Sequence, residues 1–238
     1  MELIGGKQTI IEALKSGYKV YNIYSENLST VDKEIMELAK ARHIEILDIP
    51  AELRETREIN QGYLASIADF NYRDLDEIVG KIKGNGLILI LDHLEDTHNM
   101  GAIIRTALCA GVNAIIIPDD RSVRVTSTVF KVSAGAIFYM PIIKVKNIKN
   151  TMDSLKKSGY WIYGADMSGA GDVFKTKLDG NICLVVGNEG SGISQLVKKN
   201  CDGLVMIPQV GPLGSLNVSV ATGIIVYEIY RQRCVDGI

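Results

Sequence analysis

The 238 residues carry 26 Lys+Arg against 28 Asp+Glu, for a net charge of −2, with 47% hydrophobic and 23% charged side chains. This is the balance of an ordinary soluble globular chain long enough for one or two domains, and its net charge alone gives no sign of a polyanion partner. No apolar run approaches the ~20 residues that span a bilayer, and the opening residues lack a signal-peptide pattern, so no membrane association and a cytoplasmic location are expected. Four cysteines, at 109, 183, 201 and 234, show no C-x-x-C spacing and read as reduced, mostly buried thiols.

In chain order, residues 7–16 place apolar side chains at helical spacing, and Gly17 is a natural stop. Residues 20–24 read as a strand. Thr30 introduces a helix through Ala41, with Val31, Ile35, Leu38 and Ala39 on one face. Ile44, Ile46 and Ile49 alternate as a strand ending at Pro50. A short helix around Leu53 and a strand at 63–68 complete an α-β-α-β-α-β pattern, so residues 1–72 are expected to form a small α/β domain. Residues 73–86 are charged, with Gly80, Gly84 and Gly86 near the end, and read as a linker containing one helical turn at 75–79.

The second domain is expected over 87–238. Residues 87–92 are apolar on both faces, as in a buried parallel strand. A helix at 100–110 and a strand at 114–117 follow. Further helix and strand pairs fall at 126–134 with 140–145, 147–158 with 160–165, and 193–200 with 204–207, and residues 182–186 form another strand. This alternation predicts an α/β fold with a mostly parallel sheet covered on both faces.

Charge is unevenly spread. Residues 1–84 hold 11 Lys+Arg against 15 Asp+Glu, whereas the remainder holds 15 against 13. Between Arg121 and Met152 no acidic residue occurs, while Arg121, Arg124, Lys131, Lys144, Lys146 and Lys149 do. The stretch reads either as a phosphate footprint or as a solvated basic face.

Three constellations carry chemistry. In the first, Asn99 sits at a helix start, Gly101 permits close backbone approach, and Arg105 follows one and a half turns on. An arginine among Ile103, Ile104, Ala107 and Leu108 would be partly buried and hold an anionic or hydrogen-bonding partner; the same residues also read as a helix cap and a surface arginine. The second, Gly187-Asn188-Glu189-Gly190-Ser191-Gly192, closes a strand and opens a helix. It has neither the Gly-Lys-Ser/Thr of a phosphate loop nor dinucleotide spacing, and Glu189 alone could simply complement a helix dipole. The third runs from Ile207-Pro208 through Gly211, Pro212 and Gly214 to Ser215, Leu216 and Asn217, where Ser215 or Asn217 can cap the last helix. Two Gly-rich loops at strand ends suggest one crevice at the carboxyl edge of a sheet. His43, His93 and His98 form no ligand set, so no metal is expected, and no Gly-x-Ser-x-Gly elbow supports hydrolysis.

Together and in this order, the constellations resemble the SpoU/TrmH class of SPOUT methyltransferases. Asn99, Gly101 and Arg105 resemble its Asn-x-Gly-x-x-x-Arg motif. Gly187, Glu189, Gly190 and Gly192 resemble Gly-x-Glu-Gly-x-Gly. Ile207, Pro208, Ser215, Leu216, Asn217, Ser219 and Ala221 resemble Ile-Pro…Ser-Leu-Asn-x-Ser-x-Ala, and 131–136 resembles a family connector. The resemblance implies S-adenosylmethionine-dependent methylation of an RNA ribose 2′-hydroxyl, a C-terminal trefoil knot, and a homodimer formed through the C-terminal domain. It implies a donor site at Gly187, Asn188, Gly192, Ile207, Pro208, Leu216 and Asn217, and catalytic roles for Arg105, Asn99, Glu189, Ser215 and Asn217. Arg121, Arg124 and Lys131 are the expected RNA contacts. Residues 1–72 resemble the L30e-like substrate domain of RlmB-like members that act on rRNA guanosine, although Asn60-Gln61-Gly62 stands where many relatives carry His-Gln-Gly. A guanosine in 23S rRNA is therefore the first expectation. A tRNA substrate, or a non-catalytic RNA-binding assembly factor on the same scaffold, is the alternative.

Overall fold

A computed structural model of the chain describes residues 1–54, 61–169, 171–212 and 214–235. Its elements, in chain order, begin with β1 (Glu2–Gly5), α1 (Lys7–Lys15), β2 (Val20–Ser25), α2 (Lys33–Ala41), β3 (Ile46–Asp48), β4 (Tyr63–Ile67), α3 (Leu75–Val79) and β5 (Leu87–Asp92). They continue with α4 (Thr97–Cys109), β6 (Ala114–Pro118), α5 (Ser127–Val132), β7 (Ile142–Val145), α6 (Ile148–Lys157), β8 (Trp161–Ala165) and β9 (Gly171–Asp172). The last are β10 (Ile182–Gly187), α7 (Gln195–Asn200), β11 (Gly203–Met206) and α8 (Val218–Val235). No described helix is long and apolar enough to cross a membrane.

The chain divides into two compact units. The first comprises Met1–Asn71 together with Val125–Tyr139. Its sheet has the order β1-β4-β2-β3, with β2 and β3 parallel and the other pairs antiparallel. β1 does not figure in the sequence reading, because four residues running into a Gly-Gly carry little alternation and the strand is defined by a partner 59 to 65 residues away. The α2 start differs too: Asp32, not Thr30, caps the helix by accepting the Glu34 and Ile35 amides. Arg42 closes the neighbouring helix by donating to the carbonyls of Ala13, Leu14 and Tyr18. Asn60 lies outside the described residues; its neighbour Gln61 has a φ of 56° and accepts the Lys7 amide through Oε1.

Residues 125–139 join this first unit despite their place in the chain. Phe130 is fully buried and packs on Phe70 and Phe138, the latter also against Tyr18. Tyr139 donates its hydroxyl to the Glu12 carboxylate at 2.8 Å. A Cβ on Gly135 would stand 2.5 Å from Glu12 Cβ, so close approach of the two segments requires glycine there.

The second unit is built on a seven-stranded sheet of order β7-β6-β5-β10-β8-β11-β9, all of whose pairings are parallel. β5 and β10 are buried along their whole length at its centre, as their unbroken apolar runs require. One face packs Ile88, Ile90, Ile116 and Val185 against Met152, Leu155 and Val197 from α6 and α7. Residues 73–86, expected as linker, contribute Ile78 and the partly buried Leu75, Val79 and Ile82 to this cluster. The helical turn expected at 75–79 is present as α3, and the apolar side chains of this stretch recur at helical spacing. α4 and α8 pack on each other and α8 on β10, and Thr222 and Glu228 of α8 are buried with the apolar Ile225, Val226 and Ile229.

Candidate active site

The site lies at the carboxyl ends of β8, β10 and β11, where a parallel sheet leaves strand-to-helix loops free to converge. They enclose a cavity of about 500 Å³ with the start of α8 as a further wall. Val186, Val205, Ile207, Ala221 and Ile225 give it an apolar lining, and Asp166, Asn188, Glu189, Gln209, Ser215 and Asn217 supply polar groups.

The Gly187–Gly192 loop folds back on itself. Asn188 and Gly192 exchange backbone hydrogen bonds of 3.1 and 2.9 Å, and a Cβ on Gly187 would lie 2.0 Å from the Gly192 carbonyl carbon. Only glycine fits at the head of this loop. The Asn188 side chain is committed to the loop: Oδ1 accepts the Gly190 amide at 2.9 Å and Nδ2 donates to the His93 carbonyl at 3.0 Å. Asp92, directly opposite Gly187 in the β5–β10 register, is almost completely buried. One of its oxygens accepts the Ser194 amide at 2.7 Å while the other lies 2.6 Å from His93 Nδ1. The far end of the loop is thus tied to β5.

Three separate stretches meet through side-chain amides. Asn99 Nδ2 donates to Glu189 Oε1 at 2.8 Å, and Asn217 Nδ2 donates to Asn99 Oδ1 at 3.0 Å. Asn217 Oδ1 in turn accepts the amides of Ser219 and Val220 and the Ser219 hydroxyl, capping α8. Of the two cap candidates the structure uses Asn217. Asn99 does not cap α4, a task that falls to Asp96, which accepts the His98 amide.

Gly187, Asn188, Glu189, Gly192, Ile207, Ser215, Leu216 and Asn217 therefore line one cavity. Pro208 does not; it borders an adjoining depression with Val210, Gly211 and Pro212. Asn99 stands behind the lining as the link just described. Arg105 is exposed on α4 outside the cavity, and among the described residues its side chain makes no hydrogen bond or ion pair. Of the two readings of this residue, the partly buried arginine with an anionic partner is not met and the surface arginine is: Ile103, Ile104 and Ala107 occupy the buried face, and position 105 falls on the other. Arg121, Arg124 and Lys131 are all exposed, Lys131 in the first unit and the other two in the second. Within the acid-free stretch, Lys144 pairs with Asp119 at 2.6 Å and Lys149 with Asp153 at 2.7 Å, so acids from outside it neutralise part of its charge. The sequence reading overlooked the β8 end, residues 165–167, as part of the site. The available signal was an aspartate immediately after a strand that precedes a Gly-rich stretch.

The model of the SpoU rRNA Methylase family matches residues 86–227. YacO of Bacillus subtilis (strain 168), which bears a TrmH family tRNA/rRNA methyltransferase name, is 39% identical over 96% of this chain and 94% of its own. The SpoU methyltransferase AviRb from Streptomyces viridochromogenes, solved with AdoMet, superposes with a TM-score of 0.84 at 26% identity, covering 98% of this chain and 90% of AviRb. A structure described as an RNA 2′-O ribose methyltransferase shares the fold with a TM-score of 0.77 at 22% identity, covering 98% and 88% of the two chains. With its family match over the site-bearing unit and full-length likeness to YacO, the chain belongs to the SpoU/TrmH family of RNA methylases.

Proposed function

We propose that the protein transfers a methyl group from S-adenosylmethionine to the ribose 2′-hydroxyl of an RNA, with a guanosine of 23S rRNA as the target. The observation that carries this reading is the Glu189–Asn99–Asn217 hydrogen-bond chain, which couples three motif stretches at the wall of one cavity. A cavity of about 500 Å³ falls within the ~300–1,000 Å³ range of small-molecule sites, and its apolar lining with a few polar groups suits a flat heterocycle bearing a polar tail.

S-adenosylmethionine, when bound, supplies both the methyl group and its own leaving group, so the chain's task is to bind, align and move a proton. Backbone groups near Gly187, Ile207 and Leu216 hold the adenine and ribose, while Gly192 and the Asn188-braced turn fix the shape of that wall. Pro208, bordering the adjoining depression, sets the backbone course after Ile207. Glu189, Ser215 and Asn217 organise the rim, with Asn99 holding Glu189 and Asn217 in register.

Arg105 acts on the RNA. A guanidinium holds its proton too tightly to serve as a base but is a good bidentate clamp. It holds the phosphate next to the reacting ribose and orients the hydroxyl, whose proton leaves to phosphate or water. Its exposure on α4 is consistent with a homodimer through the C-terminal domain in which each site draws on both subunits. The exposed Val220, Tyr227 and Tyr230 on α8 suit such an interface. The same reading takes the C-terminal loops and α8 as a trefoil knot, residues 1–72 as an L30e-like RNA-binding domain, and the cytoplasm as its place of work. Arg121, Arg124 and Lys131 supply phosphate contacts.

Methyl transfer from labelled S-adenosylmethionine to 23S rRNA fragments and to tRNA, with nuclease mapping of the 2′-O-methyl nucleotide, tests this. Incorporation at a base rather than a ribose rejects the 2′-O assignment, and labelling of tRNA alone rejects the rRNA target. Donor binding without transfer to either RNA leaves an assembly factor as the function.

A further inference from the structure

Asp166 lines the cavity but has no task in the mechanism above. It follows β8, and its backbone is locked in place: its amide donates to the Val205 carbonyl at 3.0 Å, and its carbonyl accepts the Gly169 amide at 2.9 Å. Its side chain is 17% exposed and pairs with Lys198, itself 22% exposed, at 2.9 Å. That bond falls on Oδ1, which also accepts the Ser168 amide at 2.8 Å and the Ser168 hydroxyl at 2.5 Å. Lys198 Nζ additionally donates to Ser168 Oγ at 2.6 Å. Among the described residues no donor reaches Oδ2. One oxygen is saturated and immobilised, which leaves the other as the spare acceptor of a residue that lines the cavity.

The charge of the group narrows its partner. Burial pushes the Asp166 carboxyl up, but the bonds from Ser168 and Lys198 outweigh it and hold the group below its usual range, so it is ionised at neutral pH. Lys198 already compensates that charge. A neutral ion pair offers little to a ligand cation, yet it keeps the strong acceptor lone pairs of a carboxylate, which suit hydroxyl donors.

We propose that Asp166, through Oδ2, accepts hydrogen bonds from the vicinal hydroxyls of the donor nucleoside's ribose, with Lys198 and Ser168 as positioning residues. This rests on reading the cavity as the S-adenosylmethionine site. Calorimetric titration of the full chain with S-adenosylhomocysteine and with its 2′-deoxy and 3′-deoxy forms, on wild type and Asp166→Asn, tests it. Asp166→Asn should weaken S-adenosylhomocysteine by about tenfold or more, the worth of one hydrogen bond to a charged group. Wild type should lose a similar factor toward at least one deoxy ligand, and for that ligand the substitution should cost less than about threefold, because the interaction is already gone. Equal penalties for all three ligands would make Asp166 purely structural and overturn the inference, as would wild-type indifference to both deoxy forms, an arm that does not depend on the variant folding. Failure of wild type to bind S-adenosylhomocysteine would instead reject the donor reading itself, and the inference with it.

Discussion

Asn99 and Asn217 stand 118 residues apart in sequence, yet Asn217 Nδ2 donates to Asn99 Oδ1 at 3.0 Å. The same Asn99 side chain holds Glu189 from the opposite side, so a single amide spans two motifs with its donor and its acceptor. Glutamine offers the same amide donor and acceptor but is a methylene longer, and a neutral imidazole sets its donor and acceptor in a different geometry.

Asn99→Ala should therefore uncouple both loops at once. Because Asn99 is 8% exposed, losing its bonds is expected to cost about 1–3 kcal/mol of stability. Methyl transfer should fall by more than the donor affinity does. Urea denaturation of Asn99→Ala, Asn217→Ala and the double variant checks the link: additive losses would show that the two residues do not depend on one another.

The clamp role of Arg105 predicts that lysine cannot replace it, since a point charge lacks the fork that grips two phosphate oxygens. Arg105→Lys should reduce single-turnover methyl transfer by about a hundredfold, the scale expected when a reacting group is misplaced by an ångström or so, with donor affinity unchanged. Near-full turnover with intact RNA binding would discard the fork-shaped clamp.

Neutralising Arg121, Arg124 and Lys131 to glutamine should weaken RNA binding and flatten its dependence on salt, by a log–log slope of roughly 0.7 for each single-strand phosphate that is no longer neutralised. All three side chains are exposed, so folding stability should hardly change. Filter binding over a range of KCl measures the slope, and an unaltered slope removes these residues from the RNA surface.

A pH dependence follows from Glu228 on α8, whose carboxylate accepts two bonds from Arg231 and one from Gln232, each 2.8 Å long. Those bonds, the Arg231 one foremost, hold its pKa below the ordinary 4.5. A carboxyl depressed in the folded state adds stability above its unfolded pKa and loses it as pH falls through the folded value. Glu228→Gln should accordingly lower the thermal midpoint at pH 7, by a margin that shrinks as the pH falls below 4.5. A constant offset across that range would assign the effect to packing instead.

Much of this architecture was legible in the residues because apolar patterning dominated where it was strong. The runs that became β5 and β10 admit little besides buried parallel strands, and the Gly-rich stretch after β10 could not continue either a strand or a helix. Local signals failed where a distant partner made the decision. β1 exists because β4 lies beside it, and residues 73–86 are held by the core they help to fill. Of the two readings open for Arg105, the surface one holds, because its apolar sequence neighbours face the opposite side of the helix. Asp166 belongs to no motif, and its place after a strand and before a Gly-rich stretch is a weak signal until the strand end is seen to border the cavity.

The inclusion of Val125–Tyr139 in the first unit bears on biosynthesis. N-terminal units generally complete themselves as they emerge from the ribosome, at about 5–20 residues per second. Here the nascent N-terminal sheet must wait, its Tyr18 and Phe70 surfaces unsheltered, until Phe130 and Phe138 have been synthesised with more than fifty intervening residues of the other unit. A protein cut after residue 71 would never receive that cover, and the two halves of the chain are thus bound to mature together.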